Sequence, residues 1–169
     1  MSRLVVMGVS GCGKSTLAAA IARALGAELI EGDQHHLPAS KEKMRRGIAL
    51  EDSDREPWLD QLGALMARQE GPAVLTCSAL KRAYRQRLRR AVPALRFIYV
   101  EIGEAAAMQR VRDRPGHFFP ASLVADQVRA LESPVGEAGV LAVDGERSTE
   151  AQLDAVRAWL GVAPSGEMR

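Results

Sequence analysis

The segment most able to do chemistry is a glycine-rich stretch near the start of the chain, Gly8-Val9-Ser10-Gly11-Cys12-Gly13-Lys14-Ser15. It matches the pattern G-x-x-x-x-G-K-[S/T], in which glycines let the backbone wrap a phosphate and turn its N–H groups inward. The pattern predicts that Lys14 bridges the β- and γ-phosphates and that the Ser15 hydroxyl ligates Mg²⁺. It therefore indicates binding of a nucleoside triphosphate.

A second candidate group is a carboxylate that follows the next predicted strand. Asp33 comes directly after Glu31-Gly32, at a strand end that would face the phosphates. There it could accept a hydrogen bond from an attacking hydroxyl or hold Mg²⁺ through a water molecule. An isolated aspartate in a turn usually has neither role, but the position at a strand end favours one. The adjacent His35 and His36 do not suggest a metal site, since chain neighbours cannot easily share one ion.

Alternating strands and helices position these groups. Short apolar runs predict five strands, Arg3–Met7, Glu28–Glu31, Ala73–Cys77, Arg96–Ile102 and Val140–Val143. Amphipathic stretches predict helices over Lys14–Leu25, Leu80–Ala91, Glu104–Arg114, Ser122–Leu131 and Thr149–Leu160. A further helix is predicted to begin near Ser53, with a capping box at Ser53–Glu56 and Pro57 in its first turn. This alternation predicts an α/β protein whose parallel sheet is covered on both faces and binds ligands at the carboxyl ends of its strands.

Composition excludes several other classes of protein. The chain has 169 residues with 23 Lys and Arg against 21 Asp and Glu, and this balance argues against a nucleic-acid binder. Its apolar runs are far shorter than the roughly 20 residues that a membrane span needs, and no export leader is visible. Cys12 and Cys77 are too few for a disulfide framework or a zinc site. We expect a cytoplasmic, single-domain protein.

The glycine-rich loop is shared by GTPases, ATPases and small-molecule kinases. A GTPase needs an Asn-Lys-x-Asp segment, and the chain contains no asparagine. Two D-x-x-G matches, at residues 60–63 and 113–116, fall in or beside predicted helices, so we attribute them to chance. The third strand lacks the terminal Asp-Glu pair of mechanical ATPases. A small-molecule kinase is the class that remains.

Further motifs give the chain a resemblance to the gluconokinases. They are Gly32-Asp33, His36, Glu42-Lys43-Met44, Gly47, Leu50, Asp52-x-Asp54-Arg55-x-Pro57-Trp58-Leu59, Cys77-Ser78-Ala79-Leu80-Lys81-x-x-Tyr84-Arg85, Gly116-His117-Phe118-x-Pro120, Leu131-Glu132-x-Pro134 and Val143-Asp144. The likeness runs from about residue 4 to residue 160 with the spacing kept throughout. This family is similar in fold to the shikimate and nucleoside monophosphate kinases.

The resemblance implies a three-layer P-loop NTPase fold with a five-stranded parallel sheet and a mobile helical lid at about residues 112–130. The kinase domain would span residues 1–161, with a flexible tail at 162–169. The implied reaction is in-line transfer of a phosphoryl group from ATP, with Mg²⁺, to D-gluconate, and a homodimer is expected. A kinase for shikimate, another sugar acid or a nucleotide, and a non-catalytic nucleotide-binding module, remain alternatives.

Specific residues are expected to carry this reaction. ATP would be bound by Gly8, Val9, Ser10, Gly11, Cys12, Gly13, Lys14, Ser15 and Thr16. The gluconate carboxylate and hydroxyls would be bound by Asp33, His36, Arg55, Lys81, Arg85 and His117. His117 is equally able to cap the lid helix. Lys14 and Asp33 would act in catalysis with two arginines of the lid, Arg110 and Arg114, which lie one helical turn apart.

Overall fold

The computed structural model describes residues 2–114 and 120–164 of the chain. Its sheet contains the strands β1 (Arg3–Met7), β2 (Glu28–Glu31), β3 (Ala73–Thr76), β4 (Arg96–Glu101) and β5 (Val140–Asp144). All pairings are parallel, in the order β2-β3-β1-β4-β5. The helices within these residues are α1 (Lys14–Leu25), α2 (Pro38–Arg45), α3 (Asp52–Ala67), α4 (Arg82–Ala91), α5 (Glu104–Asp113), α6 (Ser122–Ala130) and α7 (Thr149–Leu160). The predicted five-stranded parallel α/β fold is confirmed.

The central strand shows why the sheet must be covered on both sides. Leu4, Val5, Val6 and Met7 are all 0% exposed, although successive side chains of a strand point to opposite faces. Burial of an uninterrupted apolar run of this kind is typical of a parallel sheet between helices. The carboxyl ends of β1, β2 and β3 consequently meet at one edge, where a cavity opens.

The boundaries differ from the sequence-based prediction chiefly in the region between β2 and β3. The predicted capping box at Ser53 is wrong, because α3 begins at Asp52 and the reciprocal cap is formed by Glu51 and Asp54. Pro57 consequently lies in the second turn of α3 rather than the first. The prediction also missed α2, whose polar sequence gives little apolar periodicity. Elsewhere the ends shift by one or two residues; for example, α4 begins at Arg82 instead of Leu80.

The predicted lid, residues 112–130, falls only partly on the described chain. It includes the end of α5 and all of α6, whereas residues 115–119 lie outside the described residues, as do residues 165–169 of the predicted tail. None of the helices in the described ranges is long and apolar enough to cross a membrane.

Gly32 fixes the chain where β2 ends and a 3₁₀ turn (Gly32–His35) begins. Its N–H donates to Thr76 Oγ1 at 3.1 Å, and its carbonyl oxygen accepts a hydrogen bond from the Trp58 indole N–H at 2.8 Å. A Cβ atom at this position would lie 2.1 Å from the carbonyl oxygen of Thr76. Only glycine therefore lets the strand end approach β3 so closely.

We expect Gly32→Ala to lower the free energy of unfolding by roughly 1–3 kcal/mol or more, because the added methyl group must push two backbones apart. Urea denaturation followed by circular dichroism measures this change. Gly71→Ala is the matched control, since no atom of the described residues lies within 4 Å of a Cβ built there. Equal stability of the two variants would contradict the close approach at Gly32.

Candidate active site

A cavity of about 580 Å³ opens at the carboxyl ends of the strands. Six of the side chains singled out from the sequence line it, namely Ser10, Lys14, Asp33, His36, Arg55 and Lys81. They come from the loop after β1, the turn after β2, the first turns of α3 and the segment after β3. The strand-end rule of parallel sheets accounts for this convergence of residues that are up to 71 positions apart in the sequence.

The glycine-rich loop has the backbone shape that phosphate binding requires. Gly13 caps the start of α1 with φ of +92°, a left-handed conformation that favours glycine. At Gly11 a Cβ atom would lie 2.4 Å from the carbonyl oxygen of Ala107, so the loop packs tightly against α5. The N-terminus of the 12-residue helix α1 therefore points its free N–H groups and partial positive charge at the space that the loop encloses.

An oxygen-rich cluster lies beside this helix N-terminus. The Ser15 hydroxyl lies 3.1 Å from Oε2 of Glu31, and the Thr76 hydroxyl donates to the same carboxylate oxygen at 2.6 Å. Sequence reasoning selected Ser15 and Asp33 as candidate metal ligands but did not select Glu31, whose carboxylate contacts Ser15. The position of Glu31, the last residue of β2, was the signal that could have found it.

Asp33 and His36 lie next to each other on the cavity wall. His36 Nε2 is 3.7 Å from Asp33 Oδ1, and the imidazole stacks on Trp58 with ring centroids 4.0 Å apart. The His36 side chain is buried, whereas that of Asp33 is 71% exposed toward the cavity and solvent. The described residues offer no hydrogen-bond partner to His36 Nδ1. The stacked imidazole therefore stands beside the carboxylate with one ring nitrogen unsatisfied.

Two cations and one acid surround the ring of Tyr84 in the same cavity. Arg55 and Lys81 each lie 5.7 Å from the ring centroid. Lys81 forms a salt bridge of 2.9 Å with Asp52, which also accepts a hydrogen bond from the Tyr84 hydroxyl. The hydrogen bonds from Tyr84 and then Lys81 hold the pKa of Asp52 below its usual value. Burial, followed by the hydrogen bond to Asp52, raises the pKa of Tyr84.

Arg55 differs from Lys81 in forming no salt bridge with a described residue, although its charge contributes to lowering the pKa of Asp52 and Asp54. The residue is only 8% exposed, and none of the described carboxylates or carbonyl oxygens forms a salt bridge or hydrogen bond with its guanidinium group. A buried cation is costly unless it is paired. The arrangement is therefore suited to an anionic ligand that enters the cavity.

Arg85, in contrast, does not line this cavity. Its side chain is 1% exposed and donates to the carbonyl oxygens of Ala79, Leu80 and Glu132 while forming a 2.8 Å salt bridge with Glu137. Burial raises the pKa of Glu137, but hydrogen bonds from Arg85 and Arg89 outweigh it and lower that pKa. The expectation that Arg85 binds substrate does not agree with this placement, because its donors are already engaged in holding the loop after α6.

The arginines assigned to the lid are also separated from the cavity. Arg110 donates to the carbonyl oxygens of Cys12 at 3.2 Å and Gly145 at 2.9 Å, so it braces the outside of the glycine-rich loop. Arg114 is exposed at the end of α5 and is not among the lining residues. His117 lies outside the described residues.

Several lining residues were not selected from the sequence as binding residues. These are Gln34, Lys41, Met44, Ala49, Leu50, Glu51, Asp52, Ser78, Tyr84, Leu123, Asp126, Gln127 and Ala130. Lys41 and Met44 belong to α2, the helix that the prediction missed. Gln127 accepts a hydrogen bond from the backbone N–H of Ser10 at 2.7 Å, a contact between α6 and the glycine-rich loop that no local pattern predicts.

Comparisons with known proteins find relatives of this chain in sequence and in fold. A family model described as an AAA domain matches residues 4–134. A gluconokinase of Gluconobacter oxydans is 44% identical over 155 residues, which cover 89% of this chain and 86% of that protein. A crystal structure of a gluconokinase from Sinorhizobium meliloti superimposes with a TM-score of 0.87 at 43% identity, covering 95% of this chain and 91% of the other. A shikimate kinase from Bacteroides thetaiotaomicron, at a TM-score of 0.66, 17% identity and coverage of 95% and 99%, shares the fold.

We expect Arg85→Met to lower the free energy of unfolding by roughly 3–5 kcal/mol, because it leaves buried carbonyl oxygens without a hydrogen-bond donor and breaks a buried ion pair. Chemical denaturation measures the loss. Arg82→Met is the matched control: its side chain is 67% exposed and only approaches the same Glu137 at 4.0 Å. If both variants were as stable as the wild type, Arg85 would not have the structural role assigned to it.

Proposed function

Because the chain belongs to the gluconokinase family, we propose that it transfers the γ-phosphoryl group of ATP to a hydroxyl of D-gluconate, forming 6-phospho-D-gluconate and ADP. The observation that carries this proposal is the shared cavity of Lys14, Asp33 and Arg55. It combines a triphosphate loop, a carboxylate next to the expected terminal phosphate, and a buried cation without an acidic partner in the described chain. These are the three groups that phosphorylation of a sugar acid requires.

The nucleotide would be held by the loop after β1. Within the expected ATP-binding segment, residues 8–16, the backbone N–H groups at the start of α1 and the ammonium group of Lys14 neutralise the phosphates, as in other proteins with this loop. Arg110 acts indirectly, because its hydrogen bonds to Cys12 and Gly145 hold the loop in shape. Arg114 remains a candidate for closing over the phosphates, since it ends the helix that leads into residues 115–119.

A magnesium ion fits the oxygen ligands found beside α1. Mg²⁺ prefers oxygen ligands and keeps several of its waters, so the Ser15 hydroxyl would bind it directly while Glu31 and Asp33 hold it through water. The bound ion would neutralise charge on the β- and γ-phosphates. Glu31 is oriented for this purpose by the Thr76 hydroxyl.

The acceptor would lie between Arg55 and Asp33. A guanidinium group can bind a carboxylate through two parallel hydrogen bonds, and Arg55 is the lining cation that lacks a salt bridge within the described chain. Hydroxyl groups of the sugar acid would be met by polar side chains along the cavity, such as those of Asp52 and Lys81, whereas Nδ1 of His36 is itself buried although His36 lines the cavity. With the carboxylate fixed at one end, the far hydroxyl is directed toward the phosphate loop.

Asp33 would orient and deprotonate that hydroxyl. Its carboxylate accepts the proton as the hydroxyl oxygen forms a bond to the γ-phosphorus, and the bond from that phosphorus to the bridging oxygen of ADP breaks on the opposite side. His36, 3.7 Å away and fixed by stacking on Trp58, limits the rotation of the carboxylate. The substrate contact assigned to His36 thus includes a supporting role for Asp33.

The location, oligomeric state and domain boundaries are proposed separately from the reaction. Cys12 and Cys77 are both buried and free, which is typical of a reducing compartment, so we place the protein in the cytoplasm. The homodimer, the single domain over residues 1–161 and the lid at 112–130 stay predictions of the family resemblance.

The reaction is tested by measuring ADP release with Mg·ATP and a panel of acceptors. We expect rapid turnover with D-gluconate and little with shikimate, nucleoside monophosphates or an uncharged hexitol. Turnover with another sugar acid alone would correct the acceptor. ATP binding without turnover on any acceptor would indicate a nucleotide-binding module and contradict the proposed reaction.

The role of Arg55 is tested in the same assay. We expect Arg55→Met to raise the KM for gluconate roughly 10- to 100-fold, since a charged hydrogen bond is lost. Arg45→Met, on the exposed face of α2, is the control and should leave KM unchanged.

Removal of the proposed base affects turnover more than binding. We expect Asp33→Asn to lower kcat by roughly 10²–10⁴-fold, the range for loss of a general base, while ATP binding measured by calorimetry is largely kept. Asp154→Asn, which changes an exposed carboxylate on α7, serves as the control. Near-normal kcat in Asp33→Asn would remove Asp33 from the mechanism.

A further inference from the structure

Gln127 of α6 forms a contact with the phosphate loop and has no role in the reaction described above. Its side-chain oxygen Oε1 accepts a hydrogen bond from the backbone N–H of Ser10 at 2.7 Å, across 117 positions of sequence. A backbone N–H can only donate, so the carbonyl end of the carboxamide must face the loop. This contact determines which way the amide is turned, an assignment that atomic positions alone leave open.

The same contact determines the placement of the amide nitrogen. With Oε1 held at Ser10, the Nε2 group with its two N–H donors occupies the other branch of the carboxamide. None of the described residues accepts a hydrogen bond from it. Gln127 and Ser10 both line the cavity that also contains Lys14 and Asp33. A donor of fixed orientation therefore belongs to the wall of the cavity that Lys14 and Asp33 also line.

We propose that Gln127 is a catalytic residue that donates a hydrogen bond from Nε2 to a non-bridging oxygen of the transferring phosphoryl group. A phosphoryl oxygen is a better partner for Nε2 than the sugar acid is. The reason is that Oε1 is bound to the loop that wraps the phosphates and not to the end of the cavity with Arg55 and Tyr84. A preorganised donor stabilises charge on the equatorial oxygens without reorganising during the reaction. The inference rests on the proposed kinase reaction.

A neutral amide suits this position for an electrostatic reason. Asp126, the preceding residue on α6, and Asp33 already bring carboxylates to the cavity wall. A further carboxylate at position 127 would repel the triphosphate, whereas an amide offers donors without adding charge. The hydrogen bond to Ser10 also holds α6 against the loop, so the donor is present as soon as the nucleotide is bound.

Two substitutions separate the donor, Nε2 of Gln127, from the anchor, the hydrogen bond that Oε1 accepts from Ser10. Gln127→Glu has the same shape and still accepts the hydrogen bond from Ser10, but it has no N–H donor. Gln127→Leu removes both the anchor and the donor without adding charge. If donation to the phosphoryl group matters, both variants lose kcat, Leu by roughly 10²-fold and Glu by at least as much, as expected for loss of one preorganised donor, while the KM for ATP stays near the wild-type value. A loss of activity that comes with a raised KM for ATP would instead indicate a disturbed loop in Leu or charge repulsion in Glu, and would contradict the proposal. KM for gluconate should stay close to the wild-type value, because Gln127 does not hold the acceptor.

Other results would overturn the proposal. A wild-type kcat in Gln127→Glu together with a reduced one in Gln127→Leu would show that only the anchor to Ser10 matters. A wild-type kcat in Gln127→Leu, or a rise in KM for gluconate with kcat unchanged, would also exclude donation to the phosphoryl group. Thermal denaturation shows whether each variant is folded. Should Leu prove unstable, the isosteric Glu variant still decides the question.

The control is Gln61→Glu, the same chemical change at an exposed position of α3, and we expect wild-type kinetics from it. The acceptor panel separates the two hypotheses. If the wild-type protein does not phosphorylate gluconate or any other acceptor, the proposed function fails. If the wild type turns over and the Gln127 variants match it, only the role of Gln127 fails.

Discussion

The candidate site depends on the hydrogen bonds of one buried hydroxyl, that of Thr76 at the end of β3. It donates to Glu31 at 2.6 Å and accepts from the N–H of Gly32 at 3.1 Å, so it orients the last side chain of β2 and the backbone beyond it. Trp58 holds the same glycine from the other side through its indole N–H. Asp33 therefore leaves the sheet in one direction, toward the end of α1 that carries Lys14. The parallel register of β2 on β3 is what places a carboxylate opposite the phosphate loop.

Pairing of charges explains which basic residues are available to a ligand. The chain from residue 81 to residue 90 contains six Lys and Arg, and the structure pairs several of them with acids: Lys81 with Asp52, Arg85 and Arg89 with Glu137, and Arg87 with Asp60. Their charges contribute to holding α4 against α3 and the loop after α6. Arg55 has no such partner in the described chain although it is buried. Because the chain contains many arginines, the positive charge of Arg55 alone says little about ligand binding. The lack of a salt bridge to Arg55 within the described residues says more.

The sequence was sufficient for features that depend on local pattern. The phosphate loop, all five strands and Asp33 follow from glycine spacing, apolar runs and the strand-end rule. Arg85 could not be separated from Arg55 in this way, because burial and pairing depend on Glu137, which is 52 residues away in the sequence. The helix α2 was missed because Lys41, Lys43 and Arg45 mask the short apolar face around Met44. Glu31 was overlooked although it ends β2, because its position at a strand end does not reveal that its carboxylate meets the hydroxyls of Ser15 and Thr76.

Gln127 is another residue that the sequence alone does not single out. Glutamine is a common helix residue, and nothing in the sequence of α6 distinguishes this one from Gln109 or Gln152. Gln109 bonds to Asp113 within its own helix, and Gln152 donates to the carbonyl oxygen of Asp144 at the end of β5. Of these three, only Gln127 uses its carbonyl end on the phosphate loop, and no described residue accepts a hydrogen bond from its amide nitrogen. A polar side chain that uses one end on the backbone and has no described protein partner at the other end is available to a ligand, and tertiary contacts alone can identify it.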